Sequence, residues 1–147
     1  MAGRKQFSTF LVDRLLFGVA VEKVQEVIRY QEMTRVPLAP PVVRGLINLR
    51  GQIVTAIDLR RRLEMRERAA AVRPMNVVIR QDDGAVSLLV DEIGDVLEVE
   101  EENFEPPPET LSSKARELIS GVYKLNDRLM HVLDTDKAVS TLSAAKH

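Results

Sequence analysis

Residues 43–63, VRGLINLRGQIVTAIDLRRRL, constrain the fold more than any other part of the chain. Two apolar runs, 46–49 and 53–57, flank Arg50-Gly51-Gln52. The pattern predicts two strands closed by a tight turn, because Gly51 adopts positive φ without steric cost. In the second run Ile53, Thr55, Ile57 and Leu59 share one face, and Val54, Ala56 and Asp58 the other. Both faces are mostly apolar, so this strand is expected to be covered on each side. Arg50 stands at the turn of that pair, well placed for a partner to grasp. Its guanidinium fork offers fixed, charge-assisted hydrogen bonds to carboxylates or backbone carbonyls.

Hairpin signals recur on either side. QFSTFLV and LLFGVAV read as strands joined at Asp13-Arg14, with Gly18 marking a bulge or a close backbone approach. In VEKVQEVIRY the apolar spacing is helical, but β-branched content and brevity predict one turn leading into a strand. Val24 and Val27 then share a face and Glu26 lies off it. VPLAPP is a proline-rich loop, followed by a short helical turn with Pro41 near its start and Gly45 just past its end. RRRLEMRERAAAVR reads as an exposed basic helix or connector. NVVIRQ and AVSLLV flank Asp82-Asp83-Gly84, a strong hairpin signal, and DEIGDVLEV continues the β region.

Five glutamates between Glu98 and Glu105, then Pro106–Pro108, make an acidic loop. Ser112 or Ser113 can cap a helix through Ile119, with Gly121 as its stop. GVYKL and LMHVL flank a third turn, Asn126-Asp127-Arg128. Asp134 or Thr135 caps a last helix, 136–142, and a loose tail follows over 141–147. No short-period repeat is visible. The hairpins nevertheless recur in each half, which suits two related small barrels.

Composition narrows the function. At 147 residues the chain has the length of one domain and buries about 68–70% of its unfolded surface without staples. It has no cysteine, which excludes disulfides and thiolate metal sites and fits a reducing compartment. MAGRKQF is not followed by the apolar core of a signal peptide, and no run approaches the ~18 apolar residues of a membrane span. A cytoplasmic protein that does not insert into the membrane is expected. His131 lies in a strand and His147 at the terminus, Asp134 and Asp136 read as a helix cap, and no phosphate-binding glycine pattern occurs. Neither an enzyme nor a cofactor or metal site is expected.

Charge is uneven. Residues 1–75 hold 14 Lys/Arg against 7 Asp/Glu (+7), and residues 76–147 hold 7 against 15 (−8). Such halves point to an unevenly charged partner or to a chain that folds back on itself. The arginines of 60–68 make a small-barrel nucleic-acid binder the rival from another class. With 4% aromatic residues there is little to stack on bases, so no nucleic acid is expected. What remains is a β-rich protein-binding module whose valines can line a groove for an apolar helix face.

One family matches these features. The run from Gly45 to Gly51, followed by Asp58-Leu59-Arg60, resembles the signature of CheW, the bacterial chemotaxis coupling protein. Further markers follow in order: Val24-Gln25-Glu26-Val27 before it, then Leu89-Val90-Asp91-Glu92, Gly121 and Leu133-Asp134 after it. The resemblance covers residues 6–140 and implies a mainly β fold of two small five-stranded β-barrels sharing an apolar core, with a few short helices. It implies a non-enzymatic adaptor that couples transmembrane chemoreceptors to the histidine kinase CheA and helps assemble receptor arrays at the membrane.

Carried over by position, Gly45, Arg50 and Gly51 match residues implicated in coupling, and Val24, Glu26 and Val27 a segment implicated in partner binding. Met33 extends that surface. Ser87 and Val96 of the second barrel would line a groove taking the cytoplasmic tip of the receptor. Two positions depart from the family: Ala56 replaces a frequent proline and Ser87 a common glycine. Within the family the alternatives are a CheA regulatory domain, a coupling domain fused to a receiver, or a chemosensory pathway for surface motility. Met1 and the tail favour a complete adaptor.

Overall fold

The computed structural model describes the backbone of residues 3–145. In chain order its elements are β1 (Arg4–Val12), β2 (Leu15–Ala20), β3 (Val24–Ile28), β4 (Val43–Leu49), β5 (Gln52–Asp58), α1 (Leu59–Arg62), β6 (Met75–Gln81), β7 (Gly84–Val90), β8 (Glu92–Glu100), β9 (Phe104–Glu105), α2 (Ser113–Leu118), β10 (Ile119–Lys124), β11 (Leu129–Leu133) and α3 (Thr135–Ala145). They build a six-stranded sheet, β8-β1-β2-β11-β10-β9, and a five-stranded sheet, β3-β6-β7-β5-β4. The chain is mainly β, as expected. The sixth strand of the first sheet is the two-residue β9.

Each sheet rolls until its edges meet. In the second sheet the chain leaves edge strand β3 and six residues later reaches the other edge, where Thr34 and Leu46 exchange two backbone hydrogen bonds of 2.8 Å. In the first, edge strands β8 and β9 are separated only by the 3-10 turn Glu101–Asn103. Four buried residues fill the first barrel (Phe7, Leu16, Tyr123, Met130) and four the second (Ile47, Leu49, Val54, Val78). Eighteen form the core between them, drawn from both sheets and all three helices. At about 1.5–3 kcal/mol per buried large apolar side chain, the shared core dominates, so neither barrel is expected to be stable alone.

The register shows that the two halves of the chain are copies that exchange strands. Leu46, Ile47 and Asn48 pair with Thr55, Val54 and Ile53, and Val122, Tyr123 and Lys124 pair with His131, Met130 and Leu129. Gly45 and Gly121 occupy equivalent bulges one residue earlier. Asp58 and Asp134, each thirteen residues on, cap the following helix by accepting from Arg60 N–H and Lys137 N–H. In each half the first two strands stay in one barrel and the third crosses to the other. Val24-Gln25-Glu26-Val27-Ile28 of β3 thereby corresponds to Ile93-Gly94-Asp95-Val96-Leu97 of β8.

Several sequence expectations meet their physical reasons here. The turns at Asp13-Arg14 and Arg50-Gly51 are two-residue hairpin turns with positive φ throughout (46° and 73°, 51° and 90°), which match the twist of paired strands. The helical spacing of Val24 and Val27 comes from a bulge in β3. It pairs Val24 with Ile79 and Val27 with Val77, both on the shared core, while Glu26 pairs with Val78 on the inner face. Gly45 does not end a helical turn. It lies inside β4, where a Cβ would meet the Thr34 carbonyl oxygen at 2.7 Å. Gly121 does not stop α2 either, because α2 passes directly into β10.

Ile53 is exposed, so β5 is covered on both faces only from Val54 onward. His131 is buried, its Nδ1 donating to the Leu16 carbonyl at 2.9 Å, and it serves the fold. Helix α3 continues through residues 141–145, where a loose tail was expected, and His147 lies outside the described residues.

Gly121 gives a direct test. An added Cβ would fall into the Phe104 ring and lie 2.5 Å from the Glu105 carbonyl oxygen. The ring can move but the β9 backbone cannot without unpairing. Gly121→Ala is therefore expected to cost about 1–3 kcal/mol in urea unfolding, and a stability equal to the parent would refute the close approach.

Candidate functional site

The β4–β5 turn stands at one end of the second barrel. Asn48 fixes it by accepting from Gly51 N–H at 2.9 Å through its side-chain oxygen. Arg50 holds φ at 51°, a conformation that costs a non-glycine residue about 1–2 kcal/mol. From there its guanidinium reaches across the barrel end and donates through Nη2 to Glu26 on β3. Arg50 remains 76% exposed and Glu26 only 19%. One nitrogen is thus occupied, and the other donors of the fork stay available. Farther along β4, Gly45 lets the 33–34 segment close on the strand, and Met33 packs onto the inner cluster of the barrel. Arg50, Gly51 and Glu26 thus meet at the turn, while Gly45 and Met33 lie farther down the β4 seam, where Gly45 pairs with Ala56.

The remaining sequence-derived positions separate. Val24 is half-buried against the shared core and Val27 is half-buried beside it on β3. Val96 is 58% exposed on β8, which belongs to the first barrel and not to the second as expected, and it occupies the place in its repeat that Val27 occupies in the other. Ser87 must be corrected as a groove residue. It is 0% exposed, faces into the second barrel, and donates to the Asn76 side-chain oxygen at 2.7 Å. Asn76 in turn donates to the Arg29 carbonyl at 3.0 Å. A hydroxyl where the family often has glycine is thus accommodated inside the barrel.

A second feature escaped the sequence reading. The arginines after β5 are not a solvated basic helix. Arg60 donates to both oxygens of Asp91, through Nε at 3.0 and 3.2 Å and Nη2 at 2.6 Å. Arg68, 4% exposed, donates to the same carboxylate at 2.7 Å and approaches Asp58 at 3.4 Å. Asp58 is fully buried and also accepts from Arg44 at 3.0 Å. The Asp13 backbone N–H adds a bond of 2.7 Å to Asp91. Arg60 and Arg68 are thus spent on carboxylates of the same chain, and Arg62 on the Lys137 and Ala138 carbonyls. Their signal lay in Asp58-Leu59-Arg60 and Leu89-Val90-Asp91-Glu92, which the sequence showed as markers without showing that they touch.

Comparison with known proteins agrees with this architecture. Residues 6–143 match the family model described as a CheW-like domain. The chain belongs to the CheW-like family. It is 31% identical over 135 residues to the chemotaxis protein CheW of Bacillus subtilis, covering 92% of this chain and 86% of that one. It is 30% identical over 137 residues to CheW of Klebsiella aerogenes, covering 93% and 82%. The scaffolding protein TtCheW of Thermoanaerobacter tengcongensis superposes with a TM-score of 0.79 at 26% identity, over 90% of each chain. In the CheW-like frame, the markers that carried the resemblance divide in two. Arg50 and Glu26 make an exposed barrel end, whereas Asp58, Arg60 and Asp91 make a buried joint.

The joint predicts an acid response. Burial pushes the Asp91 carboxyl up, but hydrogen bonds from Arg60, the Asp13 N–H and Arg68 outweigh it and hold the carboxyl at about 2. The unfolded carboxyl titrates near 3.9, so on acidification the unfolded chain takes up this proton first. Asp91 therefore contributes on the order of 2 kcal/mol that is fully present above about pH 4 and lost as pH falls through about 2. In urea unfolding across that window, wild type should lose more stability than Asp91→Asn by about this amount. Parallel pH profiles would contradict the assignment.

Proposed function

We propose that this protein is a chemotaxis adaptor that couples chemoreceptors to a CheA-type histidine kinase and performs no bond-making chemistry of its own. The observation that carries the reading is Arg50. A strained turn presents a mostly exposed guanidinium, and Glu26 fixes its direction without covering it. A preset fork of this kind recognises a carboxylate or a row of carbonyls with little loss of side-chain freedom. The two barrels share one large core, so contacts on one end are rigidly related to contacts on the other. An adaptor works by holding two partners at fixed geometry, so that a shift in the receptor changes the energy balance of the kinase.

On this reading the partners are the cytoplasmic tips of the receptors and the regulatory domain of the kinase. Val24, Glu26, Val27, Met33, Gly45, Arg50 and Gly51 form or support the contact, and Val96 lies on the first barrel's share of it. Among the described residues no helix is long and apolar enough to cross a membrane. Recruitment to a membrane-associated array would come from the receptors.

Co-sedimentation with receptor signalling fragments on vesicles tests this. Wild type should bring the kinase down with the vesicles and raise its autophosphorylation. Arg50→Ala should lower both by at least tenfold while its unfolding free energy stays within about 1 kcal/mol of wild type, since the Arg50 side of the ion pair is mostly exposed. A wild-type protein that binds neither partner, or an Arg50→Ala protein that couples fully, would overturn the reading.

A further inference from the structure

Leu38 is the most exposed large apolar side chain described, at 104% relative exposure, and its φ is +65°. It sits third in the turn 36–39, closed by Ala39 N–H to the Val36 carbonyl at 3.4 Å, with Pro37 before it. Such a turn favours glycine or asparagine at that place. A leucine there is strained and gains no burial, in a loop stiffened by Pro37, Pro40 and Pro41. Strain kept without benefit to the fold is characteristic of contact sites.

Beside this loop lies a cleft of roughly 600 Å³ whose far wall is the β6–β7 turn. Val43, Leu46, Thr55 and Val86 lie along it. The internal repeat shows what such a face is built for. The equivalent positions in the first barrel are Ile119, Val122, His131 and Phe17, and all four are buried. In the second barrel Val43, Leu46 and Thr55 are only half-buried. The same face is closed from within the chain in one barrel and open in the other.

The rim supplies the sign of the occupant. Asp82 and Asp83 are both exposed on the β6–β7 turn, and among the described residues neither makes an ion pair. We propose that the cleft between residues 36–40 and the β6–β7 turn docks an apolar segment of a second protein flanked by lysine or arginine. The segment packs its apolar side chain between Leu38 and Thr55 and sets its cation against Asp82 and Asp83. This rests on the adaptor reading and adds to it a second holding surface, whose β6–β7 wall adjoins the Arg50 turn through Gly84 and Gln52.

The test titrates the full chain separately with the kinase regulatory domain and with the receptor signalling fragment. Wild type is compared with Leu38→Asn and with the double variant Asp82→Lys, Asp83→Lys. Leu38→Asn removes the knob but suits the turn, so it should melt no lower than wild type. Both variants should weaken one probe at least tenfold and leave the other unchanged. Unchanged affinity for both probes would overturn the docking proposal while leaving the adaptor reading intact. A changed sedimentation of the protein alone would overturn it in favour of a second copy as occupant. A chain ending at Ser140 that binds either probe more tightly would overturn it in favour of the protein's own C-terminal segment. Wild type that binds neither probe would overturn the adaptor reading and this proposal together.

Discussion

Asp91 stands where the chain leaves the second barrel for the first, and Arg60 and Arg68 hold it there. Its backbone N–H also donates to the Leu11 carbonyl at 2.9 Å, tying the crossing to the first hairpin. Arg68 and Asp58 are buried and Arg60 and Asp91 partly so, and ions withdrawn from water in this way are costly unless every partner is present. Here the compensation is complete: among the described residues no buried side-chain nitrogen or oxygen lacks a hydrogen-bond partner. The joint therefore favours one relation between the two barrels over any other.

The exchange of strands between halves makes that relation mandatory. The second barrel draws β3, β4 and β5 from the first half of the chain and β6 and β7 from the second. The first barrel draws β1 and β2 from one half and β8 to β11 from the other. No single cut in the chain separates the barrels, and eighteen core residues lie between them. A module of this construction transmits position well, because its exposed ends are fixed to one interior. That property is what coupling two partners requires, and it needs no catalytic group.

Much of this was legible in the sequence. Turn chemistry placed the hairpins at Asp13-Arg14, Arg50-Gly51 and Asp82-Asp83, since few residues but glycine, asparagine and aspartate favour such turns. The charge asymmetry pointed to an unevenly charged partner or to a chain folded back on itself, and Arg60 and Arg68 on Asp91 and Arg4 on Glu98 are ion pairs of the second kind. What stayed hidden depended on contacts between distant residues. Gly45 and Gly121 read as helix ends because glycine is common there, whereas their role is to let Thr34 and Glu105 close on a strand. The arginine run read as solvated because no local pattern reveals a carboxylate 31 residues away. Ser87 entered the groove through the family resemblance alone, and strand alternation does not say which face of a barrel is inside. The internal repeat was obscured because little beyond Gly, Leu and Asp is shared between GLINLRGQIVTAID and GVYKLNDRLMHVLD.

Native-state hydrogen exchange tests the interlocked construction most directly. The slowest amides of β1 and β2 in the first barrel and of β6 and β7 in the second should exchange with one free energy, equal to that of global unfolding. The values should stay equal as urea is raised. If one barrel opened at a distinctly lower free energy than the other, the barrels would be separable units, and the rigid relation proposed between their ends would be wrong.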